Sequence, residues 1–149
     1  RMSKKGDHWI AKPSGGRDAK INIAGIAEDG SSANVGSFDF RVRQLPKPSI
    51  KLGSVWSGES VKPGTVRAMT RLFAMYPPEI PLNASFKVLS YKIVISGAPR
   101  NVKGNGSVLS GEAMSLLKQV RPGATVTIMT DVRGPDGKTQ RKNGVIEVN

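Results

Sequence analysis

Two Ig-like, β-sandwich-type modules, the first truncated and the second carrying one α-helix, are the fold this sequence predicts. Period-two alternation is cleanest from Ser37 to Gln44, where Phe38, Phe40 and Val42 share one strand face and Asp39, Arg41 and Arg43 the other. Apolar residues at helical spacing occur once with clarity, at Ala113, Leu116, Leu117 and Val120. Between these stretches, Leu45-Pro46-Lys47-Pro48 interrupts any ladder, because each proline lacks an amide donor and restricts the residue before it. The boundary therefore falls there, giving modules 1–46 and 47–149 joined at Pro46 to Ser49.

Along the first module, His8 to Ala11 reads as the end of a strand, followed by a turn at Pro13 to Gly16. From Asp18 to Ala27, Ile21 and Ile23 alternate with Lys20 and Asn22, and Gly25 shifts the phase as a β-bulge would. Glu28-Asp29-Gly30 is a turn, and the Ser37 to Gln44 strand is expected to show one face to a core and the other to water. About three strands are too few to bury a sandwich core. The missing strands are expected from upstream sequence or from another copy, and a chain that opens at Arg1 in mid-strand is expected to be part of a longer protein.

In the second module, Ile50 to Leu52 and Val55-Trp56 pair around Gly53, and Lys62-Pro63-Gly64 opens either a helical turn or a bend. Met69 to Met75 is expected as a strand stopped by Tyr76-Pro77-Pro78. Ala84 to Ser96 reads as one long strand with a bulge or bend between Val88 and Tyr91, followed by a polar loop from Gly97 to Gly106. The helix is expected from Gly111 to Val120, with Ser110 as its N-cap and Pro122-Gly123 as its stop. Val126, Ile128, Thr130 and Val132 then alternate into Gly134-Pro135-Asp136-Gly137, a hairpin turn. The return strand runs through Lys138 to Arg141, breaks at Gly144, and resumes at Val145 to Val148.

The chemistry available is limited by residue type. With no cysteine, the chain has no disulfide, thiolate zinc site or cysteine nucleophile, and its single histidine, His8, rules out catalysis by paired imidazoles. His8 has no orienting partner or further metal ligand nearby in sequence, so it reads as a packed or surface residue. Glu28-Asp29 fits a turn held by local hydrogen bonds better than a catalytic dyad. Gly15-Gly16 and Gly104-Asn105-Gly106 lack the strand-to-helix setting and the Lys-Ser/Thr ending of a phosphate loop, and read as turns. Gly134 to Gly137 lacks the spaced oxygens of a calcium loop, and no Gly-x-Ser-x-Gly elbow occurs. Neither catalytic, cofactor-binding nor metal-ligating residues are assigned, and no cofactor is expected.

Charge is the strongest compositional signal. Lys and Arg number 23 against 11 Asp and Glu, a net +12 that attracts anions. The basic residues are dispersed, and only 5% of residues are aromatic, whereas a nucleic-acid binder gathers charge into a stripe with interleaved stacking rings. A basic nucleic-acid or polyanion-binding β domain is thus the alternative function, with no nucleic acid expected. The denser clusters are Arg1, Lys4 and Lys5, and the last hairpin with Arg133, Lys138, Arg141 and Lys142. That hairpin is the candidate partner-binding site, set against a solvated face or a strand edge guarded by cations.

Two blocks resemble the GldM/PorM family. Phe38-Asp39-Phe40-Arg41-Val42-Arg43-Gln44-Leu45-Pro46-Lys47-Pro48 is similar to the strand and Pro-x-Pro junction that close its penultimate domain. The helix ending in Leu116-Leu117, Pro122-Gly123, the strand Thr125 to Val132, Gly134-Pro135-Asp136-Gly137-Lys138 and the closing Gly144-Val145-Ile146-Glu147-Val148-Asn149 are similar to its terminal domain. Arg67 to Val94 matches more loosely, Pro77, Pro78 and Pro81 depart from the family pattern, and the basicity favours the PorM side. The resemblance implies a non-enzymatic, homodimeric periplasmic shaft of the type IX secretion and gliding machinery. It further implies an upstream transmembrane helix that pairs with an inner-membrane motor protein, and contact with an outer-membrane-associated ring.

Overall fold

The computed structural model describes residues 1–12 and 16–149 and is mainly β. The turn expected at Pro13 to Gly16 lies largely outside the described residues. The chain divides into two compact units, Arg1–Pro46 and Lys47–Asn149.

The first unit contains two antiparallel hairpins. β1 (Met2–Lys5) pairs with β2 (His8–Ala11) across Gly6, whose φ of 60° suits a glycine at a tight turn. β1 escapes a sequence reading because Met-Ser-Lys-Lys has no alternation. β3 (Asp18–Ile26) pairs with β4 (Ser32–Arg41) through a turn in which the Ser31 hydroxyl and amide both donate to Asp29 Oδ1, at 2.6 and 2.9 Å. These local hydrogen bonds hold the acidic turn and, the hydroxyl's foremost, lower the Asp29 carboxyl pKa.

Two expectations fail in this unit. The bulge is on β4 and not at Gly25: Ile23 faces Gly36 while Ala24 faces Asn34, leaving Val35 as the extra residue. Nor is one face of β4 covered, since Phe38 and Phe40 are each 51% exposed and β3 and β4 form a sheet of only two strands. Trp9 on β2 is exposed as well.

The second unit holds every buried hydrophobic residue among those described, from Ile50 to Val148. Its five-stranded sheet has the order β10-β9-β11-β12-β7. These strands are β10 (Val102–Asn105), β9 (Lys87–Ile95), β11 (Thr125–Arg133), β12 (Thr139–Val148) and β7 (Ser60–Val61). Neighbours are antiparallel except β12 and β7, which run parallel. A smaller sheet, β6-β5-β8, comprises β6 (Val55–Trp56), β5 (Ser49–Leu52) and β8 (Leu72–Met75). Gly53, at φ 57°, turns β5 into β6, and Lys51 lies 5.0 Å over the half-buried ring of Trp56.

Inward residues of both sheets, including Tyr91, Ile93, Val126, Ile128, Ile146, Ile50, Leu52 and Leu72, form one core with Ala113, Leu116 and Leu117 of α2 (Gly111–Lys118). Ser110 caps α2, its Oγ accepting from the Ala113 amide at 3.2 Å. The helix ends at Lys118, two residues short of expectation, and Val120 reaches the core from beyond it. A short second helix, α1 (Pro63–Arg67), resolves the Lys62-Pro63-Gly64 ambiguity, with Pro63 at its first position, where no amide donor is needed.

The expected bulge in β9 is present: Asp131 faces Ser90 and Val132 faces Val88, so Leu89 is the extra residue. The polar stretch 97–106 is not all loop, because β10 forms the sheet edge within it. Gly104, expected as a turn residue, lies there opposite Tyr91, and a Cβ at 104 would overlap the Tyr91 ring. The Tyr91 hydroxyl in turn accepts from the Ser110 amide at 2.7 Å, tying sheet to helix start. Gly144 does not break β12. It sits where a Cβ would come within 3.1 Å of Ile50, so its role is close packing between sheets.

Candidate partner-binding face

Burial alternates along β11 and β12, with Val126, Ile128, Thr130 and Val132 turned inward and Thr127, Met129, Asp131 and Arg133 outward. The same parity splits the basic hairpin residues. Arg133 and Arg141 share the outer face, and Lys138 is exposed in the turn between the strands. Lys142 has the opposite parity, half-buried across from Thr130, whose Oγ1 donates to the Lys142 carbonyl at 2.8 Å. Arg133, Lys138 and Arg141 can therefore meet one partner surface, and Lys142 is apart from them.

The hairpin is tightly closed. Gly134 donates to the Lys138 carbonyl at 2.9 Å, Gly137 to the Gly134 carbonyl at 3.0 Å, and the Lys138 amide to Asp136 Oδ1 at 3.1 Å. Asp131 is the carboxylate facing this cluster. Ser90 Oγ donates to its Oδ2 at 2.9 Å, and Arg141 Nε lies 3.4 Å from its Oδ1. The Ser90 hydrogen bond first, and Arg141 second, hold the Asp131 carboxyl below its ordinary pKa. Arg141 is thus partly neutralised, and Arg133 has no ion pair among the described residues.

Sequence reading missed the cations that β9 and β10 bring to the same face. Lys92 lies beside Met129 on one side and Lys103 on the other, and Lys87 lies beside Arg133. The signal was present in the alternation of Lys92 with Tyr91 and Ile93, but Lys103 stood in a stretch read as loop.

Two open clefts flank the core of this unit. One, of about 780 Å³, is lined by Arg67, Lys118, Arg121 and the loop 96–99. Arg67 is committed there, donating from Nε and Nη2 to the Val120 carbonyl at 3.2 and 2.6 Å. Arg67 and Lys118 sit in the last turns of α1 and α2, where they complement the helix dipoles. The other, about 530 Å³, is bounded by β8 and residues 83–88 and is mostly apolar. Among the described residues, no group of His, Cys, Asp and Glu could hold a metal ion, and His8 is exposed on β2. No helix there is long and apolar enough to cross a membrane.

A comparison with curated proteins finds no match. The family model of the GldM C-terminal domain matches residues 46–149, spanning the unit that carries both sheets and both helices. With most of its length covered by that match, the chain belongs to the GldM family of gliding-motility and type IX secretion components.

Proposed function

We propose that this chain is a non-enzymatic, force-transmitting part of the type IX secretion and gliding machinery. In this reading it stands in the periplasm, links an inner-membrane motor to an outer-membrane-associated ring, and is held by a transmembrane helix upstream. The family match over residues 46–149 carries the proposal. Pro46 and Pro48 at the junction support it physically, because proline restricts the conformations open to a linker and so favours transmission of load. Self-association through a twofold interface would stiffen the shaft further. The ring contact is assigned to Arg133, Lys138 and Arg141.

Charge reversal tests the contact. Arg133→Glu with Arg141→Glu should weaken co-purification of a ring component from envelope extracts, while Lys142→Glu, on the opposite face, should leave it intact. Equal capture by all variants would remove the hairpin from the interface, and failure of the unaltered protein to capture any ring component would count against the proposed role. Light scattering on the 149-residue chain and on a longer form should give a dimer mass for at least one of them; monomers in both would contradict the dimeric shaft.

The polyanion-binding alternative has the net charge in its favour, and salt dependence separates it. Sequence-independent binding to duplex DNA that persists at physiological ionic strength, with a steep log-log salt slope, would favour it.

A further inference from the structure

The outer face of the five-stranded sheet carries a charge pattern that folding alone does not favour. Lys92 and Lys103 stand directly opposite each other on β9 and β10, a like-charge cross-strand pair that costs stability. Lys92 is flanked on its other side by Met129, so no carboxylate stands directly opposite it on β11. Lys87 and Arg133 form a second opposed cationic pair, and Arg141 completes the group. The acidic side chains on this face are Asp131, already engaged by Ser90 and Arg141, and Glu147 at the far end of β12.

Met129, 37% exposed, and half-buried Val94 adjoin Lys92, while Val145, 41% exposed, lies across Thr127 from Val94, between Asn143 and Glu147. Apolar residues bordered by charge on an open sheet match the make-up of a protein contact surface. Strand parity turns no aromatic ring of β9 to β12 to this face, so it has no base-stacking platform, and a flat sheet does not enclose a small ligand.

We infer that this face docks an acidic surface of a protein partner, with Lys92 and Lys103 carrying the β10 side of the contact. The inference rests on the docking role proposed above and extends it from the hairpin tip across the sheet to the β10 edge. Repulsion within the free protein would be relieved when the partner supplies carboxylates, and the charge complementarity would speed encounter.

The test pairs stability with binding in one variant of the 149-residue chain, Lys92→Gln with Lys103→Gln. Removing the repulsion should raise Tm by about 1–5 °C, while affinity for poly-L-glutamate at low salt should fall at least about tenfold. Glu147→Gln should leave that affinity unchanged or raise it slightly. Unchanged poly-L-glutamate binding by the double variant would overturn the inference. So would duplex DNA or phosphatidylglycerol vesicles that displace poly-L-glutamate at equal charge concentration, since the face would then select polyanions or lipid. If the double variant binds poly-L-glutamate normally while the hairpin variants lose the ring component, the sheet-face inference fails and the docking role stands. If the double variant loses poly-L-glutamate while the unaltered protein captures no ring component, the acidic-surface site stands and the secretion role fails.

Discussion

Phe40 and Ile128 occupy similar sequence settings, each an apolar residue alternating with polar ones along a strand, yet they have opposite fates. Ile128 is fully buried in the Lys47–Asn149 unit, between two sheets and a helix, whereas Phe40 is half exposed on the β3–β4 hairpin. The difference lies in what covers the strand. Period-two alternation sets which residues share a face, but burial needs a second layer, and a two-stranded ribbon is marginal in water without one. Strand identity is local information; burial is not.

The contrast breaks most directly by truncation. Ile128→Ala should cost about 2–5 kcal/mol, by lost transfer energy and the cavity left behind, against under about 0.5 kcal/mol for Phe40→Ala, both read from urea denaturation of the 149-residue chain. A Phe40→Ala cost equal to that of Ile128→Ala would mean that the β3–β4 ribbon is covered in solution.

Gly104→Ala sharpens the contrast from the opposite direction, by adding volume. The new methyl must displace the Tyr91 ring and strain its hydrogen bond to Ser110, an expected loss of about 1–3 kcal/mol. Gly30→Ala in the first unit has open space around it and pays only for its positive φ, so its loss should be the smaller one. Equal losses would mean that Tyr91 swings aside freely.

Ser110→Ala removes the α2 cap and should cost about 1 kcal/mol, with Ser110→Asp retaining most of the stability. Thermal unfolding followed by far-UV circular dichroism reads both.

The smallest expected effect is electrostatic. The Asp131 pKa is depressed in the fold, so its contribution is present above the unfolded value of about 3.9 and is lost as pH falls through the folded value. Asp131→Asn should therefore be less stable than the parent at pH 7, with the gap closing in acid. Ser90→Ala should raise the Asp131 titration midpoint in a carboxyl-resolved NMR series. A gap that stays constant from pH 7 to pH 2 would remove the assignment.

Much of the second unit was readable from its residues. The 113–116–117–120 spacing gave α2, Gly53 gave the β5–β6 turn, and the phase slip between Val88 and Tyr91 gave the bulge. Three of the departures turn on glycine. Gly25 looked like a bulge, Gly104 like a turn and Gly144 like a break, but Gly104 and Gly144 are there because Tyr91 and Ile50 pack where a side chain would stand. Such crowding comes from residues distant in sequence or across a sheet and leaves no local trace. The basic face was half legible for the same reason: the hairpin brings Arg133 and Arg141 together locally, while Lys87, Lys92 and Lys103 join them only through the β9–β11 and β9–β10 registers.

The two tryptophans divide between the two units, Trp9 on the exposed β2 and Trp56 half-buried under Lys51. The protein therefore carries a separate native optical reporter in each half. Acrylamide should quench the red-shifted emission of Trp9 first and leave a blue-shifted remainder from Trp56, so a single fluorescence titration can follow what happens to each half when a partner is added.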